Sequence, residues 1–578
     1  MKRYWKYAKP YLFAFITGPI LMIVEVIGEV VMPLLLSNII DNGVNGGRGT
    51  LYIMAMGITM IITALVMMVG GVGGAYYAIE ASSGFANDLR KDLFNKIQKF
   101  SFANIDRYNT GSLVTRLTND ITQVQNIIQM MMRMALRAPG MLIGALIMAF
   151  TLNPKLTLVI LCVIPLLAAA IFLIMKTAFP RFIAMQKNLD VLNTVTQENL
   201  TNIRVVKSFV RERFEEEKFK KSSNNLKEST ISAMKVVIFT MPVMTLSMNI
   251  TTLGVVWFGG NQIITGSMTP GVLTAFINYV VQILMSLMMV SFIILSSSRA
   301  LASAKRINEV LCTDIDLTDD MALFKDAAVQ YGKIEFRNVY FKYYKNNEKW
   351  VLENINLVIN PGETVGIIGS TGCGKSSLVQ LIPRLYDADR GEVLVDDVNV
   401  KDYSLKNLRS GVGIVLQKNV LFSGTIKENL KWGDEYASDE EIYQWAESAQ
   451  AHGFITSFKE GYETELGQGG VNVSGGQKQR LCIARTLLKK PKILILDDST
   501  SAVDTATEAR IRESFHKELK GTTKIIIAQR ISSVFEADKI VVLDDGKIVG
   551  IGTHEELMQK CKAYTEIYYS QMDKKETA

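Results

Sequence analysis

Histidine and cysteine are scarce in this sequence. It has three histidines and five cysteines in 578 residues, and no two cysteines form a C-x-x-C pair. A zinc site or a disulfide framework needs such residues at close, regular spacing, so the sequence argues against both. Scattered thiols of this kind are typical of a chain exposed to a reducing cytoplasm.

Charged residues are almost missing from six long stretches in the first half of the chain. These stretches lie at about 11–40, 51–78, 130–150, 156–175, 236–258 and 272–295. Each is long enough, at ~1.5 Å per helical residue, to cross the ~30 Å hydrocarbon core of a bilayer. The first is too long for the apolar core of a cleavable signal peptide. The sequence therefore predicts an all-α transmembrane domain of six helices over residues 1–311, embedded in a lipid bilayer.

Basic residues are distributed unevenly between the loops that join these spans. The loops after spans one, three and five are short, and their only basic residues are Arg48 and Lys155. The loops after spans two and four are about 50–60 residues long and rich in Lys and Arg. The positive-inside rule predicts that the long loops and both termini are cytoplasmic, in an inner or plasma membrane. The net charge of +7 is then a topology signal rather than a nucleic-acid surface. Apolar periodicity predicts long helical extensions of the spans at 85–100 and 189–219.

Two acidic residues, Glu25 and Glu29, lie one helical turn apart within the first predicted span. Ionisable groups at membrane depth are costly and usually face a bundle interior or a wet cavity. Two interpretations stay open: a contact site for a cationic or amphipathic substrate, and a structural ion pair with Arg133 or Arg137. The many methionines of the spans leave a similar choice between promiscuous apolar binding and ordinary packing.

The composition changes after the sixth span. Residues 300–311 continue that helix, and 312–332 is a polar, acidic and poorly periodic segment that we interpret as a linker. From 333 to 578, apolar runs of strand length alternate with stretches of helical character. This alternation predicts a soluble α/β domain built on a mostly parallel sheet.

One stretch of the α/β domain fits the pattern G-x-x-x-x-G-K-[ST], which cradles nucleotide phosphates. It lies between an apolar strand at 364–368 and a predicted helix, and this context lets loop N–H groups surround a polyphosphate. We expect Lys375 to reach the outer phosphates and the Ser376 hydroxyl to ligate Mg²⁺. The predicted nucleotide-binding residues here are Gly369, Ser370, Thr371, Gly372, Cys373, Gly374, Lys375, Ser376 and Ser377.

A second apolar strand, at 493–497, ends in a carboxylate, Asp497. A carboxylate in this position is the usual second half of a phosphate-loop site, because it holds Mg²⁺ directly or through water. The sequence therefore predicts that Asp497 lies beside Ser376 and shares the metal with it.

A short motif, Ser474-Gly475-Gly476-Gln477, precedes a helical run at 478–488. A hydroxyl and free N–H groups at a helix start suit an anion, although an ordinary helix cap is the plainer interpretation. The motif therefore predicts either a second anion-binding element or an ordinary helix cap.

The order of these motifs resembles a known family. The segment 473–477, placed between a phosphate loop and a carboxylate-ended strand, looks like the signature of ATP-binding cassette (ABC) proteins. With six preceding spans, the chain resembles an ABC exporter half-transporter nearly end to end. The segment 109–120 of the first long loop is also similar to this family. The resemblance implies a multi-domain fold: a transmembrane domain with long cytoplasmic extensions, followed by an α/β nucleotide-binding domain.

The resemblance also implies roles for single residues. Tyr343 resembles the aromatic residue that stacks on adenine, and Gln417 the glutamine that senses Mg²⁺ and the membrane helices. The segment Ser501 to Asp504 resembles the loop that crosses the dimer interface, and 464–470 the exporter segment that contacts the long-loop helices. ABC cassettes pair head to tail, so each ATP and its Mg²⁺ lie between one chain's phosphate loop and the other chain's signature. The implied metal ligands are Ser376, Gln417 and Asp497, and the residues offered to the partner's site are Ser474, Gly475, Gly476, Gln477 and Asp504.

Three residues depart from the family pattern. Asp498 stands where the family usually has the catalytic Glu, and a carboxylate displaced by about 1 Å loses ~100-fold in rate. Gln529 stands where the family usually has a histidine near the γ-phosphate, and Gln468 where it often has Glu. Neutral drift is one interpretation of either of the first two changes alone. Together, with the signature intact, they resemble the degenerate-site subunit of heterodimeric bacterial multidrug exporters.

The sequence thus predicts one half of an ATP-driven exporter of amphipathic small molecules. Its partner is expected to be a second half-transporter that has the catalytic Glu and the histidine, and no nucleic acid is expected. Two alternatives stay open. One is a homodimer that exports lipid or peptide and hydrolyses ATP slowly through Asp498, and the other is an ATP-switched channel or regulatory subunit.

Overall fold

Twelve α-helices precede the first strand of the computed structural model, which describes residues 2–320, 322–345, 347–498 and 504–576. In chain order they are α1 (Lys2–Ala8), α2 (Leu12–Asn38), α3 (Gly49–Gln98), α4 (Phe102–Asp106), α5 (Thr110–Thr115), α6 (Ile121–Met134), α7 (Arg137–Leu152), α8 (Pro154–Thr201), α9 (Ile203–Ser208), α10 (Glu212–Val237), α11 (Thr240–Ile264) and α12 (Pro270–Cys312). Two π-helical turns, Ile39–Asn45 and Arg116–Asp120, continue α2 and join α5 to α6.

Six helical stretches in the described part of the chain are long and apolar enough to cross a membrane. They are Tyr4–Asn45, Gly49–Gln98, Thr110–Leu152, Pro154–Thr201, Glu212–Ile264 and Pro270–Val290. Only 6% of the most apolar part of the second stretch is buried, so its apolar surface faces outward, as lipid contact requires. The predicted six-helix domain is therefore confirmed. The first helical extension is present as predicted: α3 has 50 residues and, at ~1.5 Å per residue, is about 75 Å long. The predicted stretch at 189–219 is also helical, but it is divided between the end of α8, α9 and the start of α10.

The start of α12 is held by a carboxylate from the end of the first span. Asp41 Oδ1 accepts a hydrogen bond from the Gly271 backbone N–H at 2.8 Å, and its Oδ2 accepts one from the Thr269 hydroxyl at 2.6 Å. A carboxylate is favourable there because the first N–H groups of a helix have no partner within the helix. A side chain at Gly271 has no room, since its Cβ would lie 2.5 Å from Asp41 Oδ2.

Contacts divide the chain into two units. The first is Met1–Gln98 with Gly111–Cys312, and the second is Lys99–Thr110 with Thr313–Ala578. The short helix α4 therefore belongs to the second unit, although the first long loop contains it. Ala103 packs against a core cluster of that unit, and Asn104 Nδ2 donates to the Asp314 carbonyl at 3.1 Å. The Tyr386 hydroxyl donates to Asp106 Oδ2 at 2.6 Å.

The rest of the second unit alternates strands and helices, as predicted. Its strands are β1 (Ile334–Phe341), β2 (Leu352–Ile359), β3 (Thr364–Gly369), β4 (Arg390–Val395), β5 (Val398–Asn399), β6 (Val412–Val415), β7 (Gly424–Thr425), β8 (Glu465–Leu466), β9 (Ile493–Asp497), β10 (Thr523–Ile527), β11 (Lys539–Asp544) and β12 (Lys547–Gly552). Its remaining α-helices are α13 (Lys375–Gln380), α14 (Leu405–Gly411), α15 (Ile426–Leu430), α16 (Asp439–Ser448), α17 (His452–Ser457), α18 (Gly475–Leu488), α19 (Thr505–Glu518), α20 (His554–Lys560) and α21 (Lys562–Glu576).

The central sheet places the ends of three strands side by side. It has six strands in the order β12-β11-β3-β10-β9-β6, and all neighbours are parallel except β11 and β12. In this register Ile527 is paired with Ile367 on one side and with Asp497 on the other. The loops that follow β3, β9 and β10 therefore leave the same edge of the sheet, where ligands of open α/β sheets bind.

Candidate nucleotide-binding site

The phosphate loop connects β3 to α13 through glycines that no other residue can replace without strain. Gly372 and Gly374 have φ angles of +86° and +99°, a region that favours glycine. A Cβ at Gly369 would lie 2.0 Å from the Leu543 carbonyl oxygen. Lys375 Nζ donates to the Gly369 carbonyl at 2.8 Å, so the lysine lies along the loop. The loop offers N–H donors and one ammonium, a donor set that fits a polyphosphate.

The predicted pair of metal ligands is in contact. The Ser376 hydroxyl donates to Asp497 Oδ1 at 2.8 Å, and the Asp497 side chain is buried at the end of β9. Burial raises the pKa of the Asp497 carboxyl above its usual value, the hydrogen bond from Ser376 opposes that rise, and the neighbouring Asp498 adds to it. A hydroxyl and a carboxylate are oxygen ligands of the type that Mg²⁺ prefers, so these residues fit the metal.

Two of the three positions that depart from the family pattern, Asp498 and Gln529, are hydrogen-bonded to each other. Gln529 Nε2 donates to Asp498 Oδ2 at 2.7 Å, and Gln417 Nε2 approaches the same oxygen at 3.5 Å. Asp498 itself has a φ of +47°, a left-handed conformation, and its N–H donates to the Ile527 carbonyl at 3.1 Å. The structure thus brings together three residues that the sequence predicted separately.

Tyr343 precedes the phosphate loop in the sequence, and its side chain contacts the helix that follows the loop. Its hydroxyl shares a hydrogen bond with the Ser377 hydroxyl at 2.8 Å. Its ring meets the rings of Phe341 and Tyr386 edge-on, with centroids 4.9 and 5.1 Å away. The ring borders a cavity of about 580 Å³ that also touches Ala103. The cavity lining includes none of the phosphate-loop residues, and Tyr343 is linked to that part of the site by its bond to Ser377. An aromatic ring in this position has the character needed to stack on a base.

The signature segment forms a complete helix cap. The Ser474 hydroxyl accepts from the Gln477 N–H at 3.3 Å, and Gln477 Oε1 accepts from the Ser474 N–H at 2.9 Å. This reciprocal capping box begins α18. The plainer interpretation, a helix cap, is therefore present in the structure.

Two other family segments are described in part. Asp504 caps α19 by accepting from the Thr507 N–H at 3.0 Å, and that bond lowers the pKa of its carboxyl. The preceding residues Ser501, Ala502 and Val503 lie outside the described residues. Gln468 is exposed in the turn after β8.

The acidic pair of the first span contacts one of its two candidate partners. Arg137 Nη1 lies 3.2 Å from Glu25 Oε1, and its Nη2 lies 2.5 Å from Glu29 Oε1. The Gln282 side chain donates to the Glu29 carbonyl at 2.8 Å. Oε2 of each glutamate is buried and accepts no hydrogen bond from the described residues. The structural ion pair is therefore formed, with one guanidinium bridging two carboxylates.

Two contacts of this site have no signal in the sequence. The bond between Tyr386 and Asp106 joins residues 280 positions apart, and a bond from Gln571 Nε2 to the Gln529 carbonyl joins residues 42 apart. Neither follows from periodicity or from a local motif, because only the tertiary fold brings these residues together.

Six apolar helical stretches joined to a phosphate-loop sheet define a membrane protein with a nucleotide-binding domain. Family models agree: the ABC transporter transmembrane region matches residues 15–287, and the ABC transporter model matches residues 352–501. The chain belongs to the ABC transporter family, as an exporter half-transporter with one transmembrane domain and one ATPase domain.

Individual relatives match nearly the whole chain. It is 41% identical to the uncharacterized ABC transporter ATP-binding protein YfiB of Bacillus subtilis, over 99% of this chain and 98% of the relative. It is 34% identical to the putative multidrug export ATP-binding/permease protein YgaD of the same organism, over 98% of both chains. A solved bacterial Atm1-family ABC exporter with ATP bound has the same fold, with a TM-score of 0.79 and 24% identity over 97% of this chain and 98% of that one.

Proposed function

We propose that this chain is the degenerate-site subunit of a heterodimeric ABC exporter. Its own phosphate loop binds Mg-ATP and hydrolyses it slowly, and its Ser474 segment completes the active site of a partner that has the catalytic Glu and the histidine. The observation that supports this most strongly is the contact of Asp498 with Gln529. Asp498 Oδ2 accepts a hydrogen bond from the Gln529 amide at 2.7 Å, so this oxygen is already engaged. The Asp498 side chain is also one methylene shorter than that of Glu.

The binding residues keep the chemistry that the family needs. Lys375 supplies positive charge for phosphates, and Ser376 with Asp497 supplies oxygen ligands for the metal. Bound Mg²⁺ neutralises phosphate charge during phosphoryl transfer. What this site lacks is a base of the usual length and an imidazole beside it, so ATP binding is retained and hydrolysis is slowed.

Transport then follows from the difference in nucleotide affinity between closed and open cassette pairs. The long helical extensions pass cassette closure to the transmembrane domain. Hydrolysis at the partner's site resets the cycle, while the slow site biases the equilibrium. The packing of α4 within the second unit supports this route, because α3 and α5 are joined through that segment. The positions of Lys and Arg favour cytoplasmic termini and a cytoplasmic second unit.

The proposed substrate is an amphipathic small molecule, in line with the multidrug-export name of one relative. Glu25 and Glu29 are the proposed contacts for a cationic group of that molecule, since two carboxylates meet the single guanidinium of Arg137 and each keeps one buried oxygen without a bond from the described residues. Transport in vesicles tests this. The double substitution Glu25→Gln/Glu29→Gln should slow a cationic amphipath and spare a neutral one of equal size, and equal effects on both would rule out the charge contact.

The function is tested first on the chain alone. Purified protein is incubated with Mg-ATP, passed over gel filtration, and assayed for retained ATP and for turnover. We expect retained ATP and turnover far below ~1 s⁻¹, which is slow for an enzyme. Brisk turnover by the lone chain would contradict the heterodimer and favour a homodimer in which Asp498 is a working base. Vesicle transport against a gradient, measured with the partner, would exclude an ATP-switched channel.

A further inference from the structure

A side chain of the C-terminal helix holds the loop that contains Gln529. Gln571, on α21, donates through Nε2 to the Gln529 carbonyl at 2.8 Å, and its Oε1 accepts from the Ile531 N–H at 3.0 Å. One side-chain amide therefore satisfies both a C=O and an N–H of the same loop, as a neighbouring strand does in a sheet. The two bonds fix the backbone on both sides of Arg530.

The position of that backbone determines where the Gln529 side chain points. The loop leaves β10 after Ile527 and enters a short 3-10 turn at Ile531–Ser533. Between these elements, Gln529 reaches Asp498 Oδ2 at 2.7 Å. A shift of the loop therefore moves the amide directly relative to the carboxylate. Active-site geometry is sensitive to such shifts, because a displacement of about 1 Å reduces rates by ~100-fold.

The helix that presents Gln571 is itself anchored in the core. Tyr564 is fully buried and its hydroxyl is bonded to His554 Nδ1 at 2.8 Å. Ile567 and Tyr568 pack against the same core. These residues lie at spacings of three, four and seven from Tyr564 to Gln571, so they share one face of α21. The face that binds the core thus also delivers the amide to the loop.

We propose that Gln571 is a positioning residue for ATP hydrolysis in this site. It acts through the backbone of Gln529 and Ile531, and it touches neither nucleotide nor metal. The proposal rests on the assignment of Asp498 and Gln529 to the hydrolytic side of the site, which is part of the proposed function. It extends that function by giving the C-terminal helix a direct influence on the reaction rate.

The first test measures the contact itself, on the full chain in its unmodified active site. Gln571→Met keeps the length of the side chain and removes both hydrogen bonds. Hydrogen–deuterium exchange should rise at the peptide that covers 528–533, because the Ile531 N–H loses its acceptor. Ser570→Ala is the matched control: its hydroxyl donates to the Ile567 carbonyl within α21, so exchange at 528–533 should stay unchanged. Unchanged exchange in Gln571→Met would overturn the proposal.

The second test measures the rate. Gln571→Met is made in the unmodified chain and in a chain with Asp498→Glu and Gln529→His, which restores the family residues while leaving the Gln529 backbone in place. We expect kcat to fall about tenfold in the faster of the two backgrounds, with KM for ATP and the melting temperature unchanged. Gln571→Glu keeps the acceptor for the Ile531 N–H and loses the donor. Its kcat should therefore lie between that of the chain with Gln571 and that of Gln571→Met.

The outcomes separate this proposal from the proposed function. Brisk turnover by the unmodified chain contradicts the degenerate site, and Gln571→Met then still lowers that turnover if Gln571 positions the loop. A rise in exchange with unchanged kcat shows a purely structural contact and overturns the positioning role. A parallel loss of kcat, ATP retention and melting temperature also overturns it, because that pattern is general destabilisation.

Discussion

The second unit contains two half-sites that differ in how their polar groups are used. In the phosphate-loop half, the residues proposed to bind phosphate and metal have the expected character, whereas the Asp498 carboxylate accepts a hydrogen bond from the Gln529 amide. In the signature half, Ser474 and Gln477 match the family pattern and satisfy each other in a capping box. In the proposed function, binding and hydrolysis therefore rest on separate side chains, so that hydrolysis weakens while binding persists.

The largest effect is expected from restoring the family residues at the two departing positions of the phosphate-loop half. Asp498→Glu combined with Gln529→His lengthens the carboxylate and replaces the amide by an imidazole. We expect turnover at this site to rise by about 100-fold, because the carboxylate regains the reach that it lacks by about 1 Å. Turnover is measured on the lone chain with saturating Mg-ATP. Flat turnover would show that these two residues do not silence the site.

The next effect separates the two halves. Lys375→Ala removes the ammonium of the phosphate loop and should weaken ATP retention by about 10- to 100-fold, the usual worth of a charge-assisted hydrogen bond. Retention is measured after gel filtration of the lone chain. Ser474→Ala serves as the matched control in the other half and should retain ATP like the unmodified chain. Equal losses in both variants would mean that the halves are not independent within one chain.

A smaller effect is expected from the signature half. Ser474→Ala removes the acceptor for the Gln477 N–H and should lower the free energy of unfolding by about 1 kcal/mol. In the heterodimer it should also slow turnover at the partner's site, whereas Ser474→Thr, which keeps a hydroxyl cap, should do neither. Thermal unfolding and heterodimer ATPase assays check both parts. A stability loss without any change in heterodimer turnover would confine Ser474 to the cap.

The smallest effect concerns pH. Burial raises the pKa of Asp497, so on acidification this carboxyl takes up its proton at a higher pH than an exposed aspartate does. Only the ionised form is a good metal ligand, and therefore Mg-dependent ATP retention at subsaturating Mg²⁺ should fall as the pH falls, and recover as it rises. Retention without Mg²⁺ should show no such dependence on this residue. Asp497→Asn is expected to abolish the pH-dependent part.

The sequence predicted those parts of the site that short motifs encode. The phosphate loop, Asp497 and the signature each depend on adjacent residues, and the strand order then brings Asp497 and Gln529 to one edge of the sheet. The partner of Glu25 could not be chosen, because Arg133 and Arg137 are one turn apart and only packing selects between them. The role of Gln571 was out of reach for the same reason, since a side-chain to backbone bond across 42 residues leaves no pattern.

The segment Lys99–Thr110 has a consequence for how the molecule is made. It leaves the ribosome long before Thr313, yet its contacts are with the second unit. Domains generally fold in order during synthesis, N-terminal first. Here that order cannot hold completely, because α4 must wait for Tyr386 to be synthesised before Asp106 gains its hydrogen bond. A fragment that begins at Thr313 would lack this helix, and the surface of Tyr386 that it covers would be left open.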